Sequence, residues 1–194
     1  VGGLVGSMEN GSLYHVRSLH DLTARNNVGG LVGYIGAATT ISESYNGGKV
    51  TGSSSVGGLV GNVAGSSASI ENSYARGDVS GSSNVGGLIG INAGNVDKAY
   101  ARGAVSGSGG ALIGSNTGTV SNSFWDTGVT GGLAGINGGT QVNNSGLSTA
   151  DMMAETSFTP SGWNFAAPTP TASSVWTLYE GFTAPLLRWF MDAL

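Results

Sequence analysis

Glu71 and Asp97 are the two carboxylates best placed for catalysis in this chain. A glycoside hydrolase flanks the scissile bond with carboxyl groups about 5–9.5 Å apart. Alignment of the chain on its internal repeat stacks Glu71 between Ser42 and Asp97, whereas Asp78 falls between Lys49 and Ala104. His15, His20 and Asp21, with serines nearby, have the residue types of a metal site or a nucleophilic triad. Two imidazoles on an irregular loop supply neither a third ligand nor a fixed geometry. Arg76 and Arg102 share a column, Asp126 follows on the next coil, and Trp125 stands beside it. Arginine next to an exposed aromatic is the chemistry of a ligand-binding strip for carbohydrate. The simpler expectation is a surface ion pair between Arg102 and Asp126, of little energetic weight. Solvated surface charge accounts for these groups, so the chain is expected to be non-enzymatic, with no metal and no cofactor.

What would position these side chains is a repeat. The phrase Val56-Gly57-Gly58-Leu59-Val60-Gly61 recurs at residues 1–6, 28–33 and 85–90, and more loosely at 109–114 and 131–135. Its leucines, Leu4, Leu31, Leu59, Leu88, Leu112 and Leu133, lie 27, 28, 29, 24 and 21 residues apart. A period of this size marks a solenoid, whose units bury their apolar faces only against their neighbours. A second phrase lies between successive leucines and places Tyr45, Tyr74, Tyr100 and Phe124 in one column. Ile41, Ile70, Val96 and Val120 stand four residues earlier, and Val50, Val79, Val105 and Val129 five residues later. In the first unit Leu19 and Leu22 are the candidates for the aromatic and valine columns.

Each unit offers three short extended pieces separated by Gly, Asn and Ser, which suits one coil of a parallel β-helix with positions stacked at about 4.8 Å. Recurrent glycine implies corners with positive φ or close backbone approach. The fold class is therefore all-β: a β-solenoid of about five coils over residues 1–146, with Leu31, Leu59, Leu88, Leu112 and the valine column as structural ladders. The aromatic column is expected to form an internal ladder, each stacked pair adding ~0.5–1.5 kcal/mol beyond burial. Residues 147–194 form a different, aromatic-rich segment containing all four prolines. Ser148-Thr149-Ala150-Asp151 reads as a capping box opening a short helix through Ala154. Strands are expected around residues 174–179 and 186–190, and the whole segment is expected to cap the end of the solenoid, as repeat arrays require.

Charged residues make up 9% of the chain, against roughly 25% in an ordinary domain. In-register stacking explains the shortage, because like charges opposite one another destabilise a sheet. A net charge of −4 with scattered Lys and Arg gives no basic stripe for nucleic acid. No apolar run is long enough to span a membrane as a helix. Cysteine is absent, which decides nothing about the compartment. The chain opens inside a repeat phrase, so it reads as a piece of a longer, processed protein whose open first coil offers an edge for self-association.

The phrases at residues 56–81 and 85–107 resemble the GLUG motif, named for its Gly-Leu-hydrophobic-Gly core and found in large bacterial surface proteins, including filamentous-haemagglutinin-like adhesins. Residues 123–127, 146–152, 162–165 and 185–189 resemble the segment that closes such arrays. The likeness departs at residues 14–25 and 131–144. The resemblance implies secretion to the bacterial cell surface and a structural or adhesive role, with right-handed coiling the commoner form. The partners it implies are a glycan or a protein on a host or neighbouring cell. The alternative is the scaffold part of a secreted carbohydrate-active or proteolytic enzyme.

Overall fold

The computed structural model describes residues 1–166 and 174–191. It is a parallel β-solenoid built from four stacked sheets. Sheet 1 contains Val5–Met8, Val32–Ile35, Val60–Val63, Ile89–Asn92 and Ile113–Asn116, so four full turns separate its first and last strands. A further turn is closed loosely by a single bridge between Ile113 and Ile136. Sheet 2 contains Gly11–Tyr14, Thr39–Ser42, Ser69–Glu71, Asn95–Asp97, Thr119–Ser121 and Thr140–Val142. Sheet 3 contains Arg17–Ser18, Tyr45–Asn46, Tyr74–Ala75, Tyr100–Ala101, Phe124–Asp126 and Ser145–Leu147. Sheet 4 takes two segments per turn, exemplified by Val50–Thr51 and Ser54–Gly57, which fuse into one strand at Val79–Gly86. A regular turn thus has five extended segments where the sequence suggested three.

In-register pairing converts the repeat into columns. Ile41, Ile70, Val96 and Val120 are partners along sheet 2. They fill the main interior together with Leu31, Leu59, Leu88 and Leu112, each leucine fully buried. Val28, Val56 and Val85 instead join Val50 and Val79 in a second, smaller core. The chain bends between Gly29 and Val32, so Val28 and Val32 serve different cores although they are four residues apart.

Glycine forms the wall between those cores. A Cβ on Gly57 would collide with backbone atoms of Val60, Ile89 and Gly90, and one on Gly90 would collide with backbone atoms of Gly61 and Val56. Sheets 1 and 4 therefore meet backbone against backbone at the repeated phrase. Close approach, and not positive φ, is what the phrase needs from glycine. The non-glycine left-handed positions form two columns: Asn27, Ser55 and Asn84, each just before the phrase, and the corner column of His15, Glu43, Asn72, Lys98, Asn122 and Asn143, with φ between 46 and 55°. Asn takes this conformation more readily than most residues. Buried serines stabilise the corner beside it. The Ser73 hydroxyl donates to the Glu71 carbonyl at 2.8 Å and accepts the Ser44 N–H at 3.2 Å. The Ser44 hydroxyl repeats the pattern with Ser42 and Val16.

The far end departs from the expected register. Asp126 begins a turn whose carbonyl accepts the Thr130 N–H at 3.2 Å, so Val129 leaves the valine column and is 38% exposed. The leucine column passes to Gly135, whose carbonyl accepts the Leu112 N–H as the Leu112 carbonyl accepts that of Leu88. Leu133 is two residues out of place. The isoleucine column ends at Gln141, paired with Val120, whose side-chain amide donates to the Gly138 carbonyl at 3.2 Å. In the first unit Arg17, not Leu19, aligns with Tyr45, while Leu22 aligns with Val50.

The tail is not a lid across the end. It runs as a strap along the outside of sheet 3. The predicted capping box forms in part: the Ser148 hydroxyl accepts the Asp151 N–H at 3.1 Å and donates to the Asp151 carboxylate at 2.6 Å. The expected short helix follows as the 3-10 helix Asp151–Met153, and two further 3-10 turns, Glu155–Ser157 and Thr159–Ser161, continue from it. Trp176–Thr177 and Leu186–Leu187 pair as short antiparallel strands, shorter than the two segments expected. Arg188–Phe190 closes the strap as another 3-10 turn, and Pro168 and Pro170 lie outside the described residues.

Candidate functional site

The aromatic column is the seat of this strap. Strands in a parallel sheet are about 4.8 Å apart, and the rings follow that spacing. Tyr45 and Tyr74 stack at 4.7 Å with planes 6° apart, and Tyr74 and Tyr100 stack at 4.8 Å and 7°. Phe124 keeps the backbone register with Tyr100. Its ring meets Phe158 edge-on at 5.0 Å. The ladder expected inside the solenoid thus lies on its flank, in a cluster separate from the aliphatic interior. Burial there comes from the strap: Met152, Phe158, Trp163, Trp176 and Leu187 are all under 4% exposed.

The strap crosses the rungs in reverse order. Phe158 and Trp163 sit on Phe124, and Trp163 Nε1 donates to the Asn122 carbonyl at 2.9 Å. Trp176 lies 6.2 Å from both Tyr100 and Tyr74. Phe190 meets Tyr45 edge-on at 5.0 Å, and Trp189 stacks on His15 of the first unit at 4.2 Å. The buried Tyr100 hydroxyl donates to the Pro185 carbonyl at 2.6 Å. Burial, followed by the neighbouring tyrosine of the ladder, holds the Tyr74 and Tyr100 hydroxyls well above the usual phenol range.

Beside the ladder the strap leaves a cleft of about 200 Å³ lined by Arg76, Tyr100, Arg102, Phe182, Thr183, Ala184 and Leu186. Arg76 is exposed, its guanidinium 5.6 Å from the Tyr45 ring centre. Arg102 Nε donates to Asp126 at 3.2 Å, and Asp126 is fully buried, so this is no surface pair. The other Asp126 oxygen accepts the Gly128 N–H at 2.9 Å and the Thr149 hydroxyl at 2.7 Å. The carboxylate therefore ties the fourth rung, the terminal turn and the start of the strap together. Trp125 is half-buried. It packs against the interior over Gly135 and Gly146, where the space left by the missing leucine side chain admits the indole.

The remaining candidates are distributed along the stack. Glu71 and Asp97 are register partners on sheet 2. Burial acts to raise the Asp97 carboxyl, but hydrogen bonds from Lys98, Asn122 and Ser121 and the Lys98 charge outweigh it and hold it below the usual carboxylate range. An acid catalyst requires the opposite shift. His15 Nε2 lies 3.2 Å from Glu43, and Asp21 accepts the Lys49 N–H at 2.8 Å. Among the described residues no three His, Asp or Glu side chains converge as metal ligands. Phe182 is 84% exposed at the cleft, more than Tyr179 and Trp189, the other exposed aromatics among the described residues of the tail. Its signal in the sequence was the flanking Gly181, which takes φ +72°.

Among known families, the model described as the GLUG motif matches residues 52–80. No curated protein and no solved structure matches the chain. The matched residues run from the close of one sheet 4 segment to the equivalent position on the next rung, where Thr51 and Ser80 are partners. Residues 52–80 are thus a GLUG motif built as one turn of a parallel β-solenoid.

Proposed function

We propose that this chain is a non-enzymatic structural and adhesive segment of a secreted bacterial surface protein or extracellular fibre. The observation that carries this reading is the outward column of sheet 2. Ser12, Thr40, Ser69, Asn95, Thr119 and Thr140 are register partners on six successive strands. A short polar side chain is therefore offered at every rung, one strand spacing apart. Such a column makes the same weak contact repeatedly, and linked contacts gain avidity without any single tight site. Direct stacking of coils supplies the stiffness that holds the column straight.

The test is attachment. Non-adherent bacterial cells displaying the chain at their surface should bind host-cell or glycan-coated surfaces more than cells displaying an unrelated solenoid, with the coating left chemically intact. Attachment no better than the control, or release of cleavage products from the coating, would overturn the reading.

A further inference from the structure

We infer that the cleft between Arg76 and Phe182 binds an acidic sugar, its carboxylate on the arginine and its ring against the phenyl group. This rests on the adhesive reading and names a ligand class for it. The first observation is an available cation in an acidic chain. Arg76 is exposed, and among the described residues no carboxylate lies in ion-pair range of it. Its planar guanidinium offers donors in a fork that matches a carboxylate. Arg102, one rung away, lines the same cleft. Its link to Asp126 is made through Nε at 3.2 Å. Asp126 fixes the second guanidinium in place, so the cleft presents an ion-paired arginine beside one that has no ion-pair partner among the described residues and lies over the Tyr45 ring.

The second observation is the presentation of Phe182. A side chain this apolar and 84% exposed is held on a turn that is fixed at several points. The Phe182 and Thr183 N–H groups both donate to the Tyr179 carbonyl, at 2.9 and 3.0 Å. The Thr183 hydroxyl accepts the Tyr179 N–H at 3.1 Å. Gly181 donates to the Met153 carbonyl at 3.0 Å, binding the turn to the start of the strap. The turn therefore holds an aromatic ring out beside two cations without burying it. A sugar carries C–H groups that pack on an aromatic ring and, when acidic, a carboxylate beside them. The volume of about 200 Å³ is below the roughly 300–1,000 Å³ of sites for drug-sized ligands, so it fits one terminal residue of a glycan.

The experiment titrates the full chain with D-glucuronic acid and N-acetylneuraminic acid, with glucose and inorganic phosphate as controls, following tryptophan and arginine resonances by NMR. The expected result is saturable millimolar binding of an acidic sugar, none of glucose, and at least tenfold weaker binding in Arg76→Gln and in Phe182→Ala. Both positions are exposed, so both variants should keep the wild-type spectrum elsewhere. Equal binding by the variants, equal binding of phosphate, or no binding of either acidic sugar would overturn the assignment. Cells displaying the Arg76→Gln, Phe182→Ala double variant separate the two claims. If they attach as well as wild type, the cleft assignment fails while the adhesive reading stands; if wild-type cells do not attach, the adhesive reading itself fails.

Discussion

Leu59 and Ile70 in the interior and Tyr74 on the flank belong to one turn, and each is matched by a similar residue on the turns beside it. Their columns are nevertheless closed in different ways. The aliphatic columns are buried by the solenoid's own sheets, so the repeat is sufficient to cover them. The tyrosine column faces away from that interior and is covered by a segment that does not repeat. A periodic sequence can thus carry an apolar face that only a non-periodic segment completes, and the strap is as necessary to the flank as the coils are to the core.

Removing a side chain from each region distinguishes them. Trp176→Ala, which deletes a fully buried indole packed against both Tyr74 and Tyr100, should cost about 3–5 kcal/mol of strap stability in urea unfolding. Limited proteolysis should then cut within residues 148–191 while amides of sheets 1 and 2 stay protected from exchange. Loss of protection throughout would mean that flank and interior form one cooperative unit. Gly57→Ala acts on the other region. Its methyl group meets backbone atoms of Val60, Ile89 and Gly90, which cannot rotate aside, so destabilisation of about 1–3 kcal/mol is expected. Here exchange should rise in sheets 1 and 4 before the strap opens.

Tyr100→Phe is a smaller change that leaves the ring stack intact and unpairs the Pro185 carbonyl. An expected loss of about 1–3 kcal/mol should again appear as cleavage of the strap, and unchanged cleavage would contradict the anchoring role of the hydroxyl. The smallest effects are those of pH. Folding raises the Tyr74 and Tyr100 hydroxyls, so their contribution is complete below the unfolded value of about 10 and is lost as pH rises through the folded values. Tryptophan fluorescence should report strap release at alkaline pH, and less steeply in Tyr100→Phe. Folding lowers Asp97, so its contribution is present above the unfolded carboxylate value and fades as pH falls. That loss should centre on the sheet 2 corner, with Asp97→Asn removing the dependence.

Which residues stack was legible in the sequence, because parallel pairing in register turns a period directly into columns. Leu31, Leu59, Leu88 and Leu112 are buried together, and Val50, Val79 and Val105 are successive partners. Which side of the wall a column faces was not. The tyrosines lie on strands of two residues, too short to show the alternation that tells inside from outside, and a phenol suits either a core or a covered surface. The corners were legible only in part. Recurrent glycine allowed positive φ or close backbone approach, and the phrase glycines take the close approach; Asn72, Asn122 and even Glu43 and Lys98 hold left-handed positions, supported by serine hydroxyls that no periodicity reveals. Val129 and Leu133 lost their columns to a turn organised by Asp126, and Trp125 moved inward because Gly135 left room for it.

If the strap runs along the flank to the first unit, nuclear Overhauser contacts from the tryptophan indoles will trace its path. Trp163 should contact Phe124, Trp176 should contact Tyr74 and Tyr100, and Trp189 should contact His15, in a molecule shown to be monomeric. Contacts of all three indoles with residues of the terminal turn alone, and none between Trp189 and His15, would place the segment over the end of the solenoid and rule out the flanking strap.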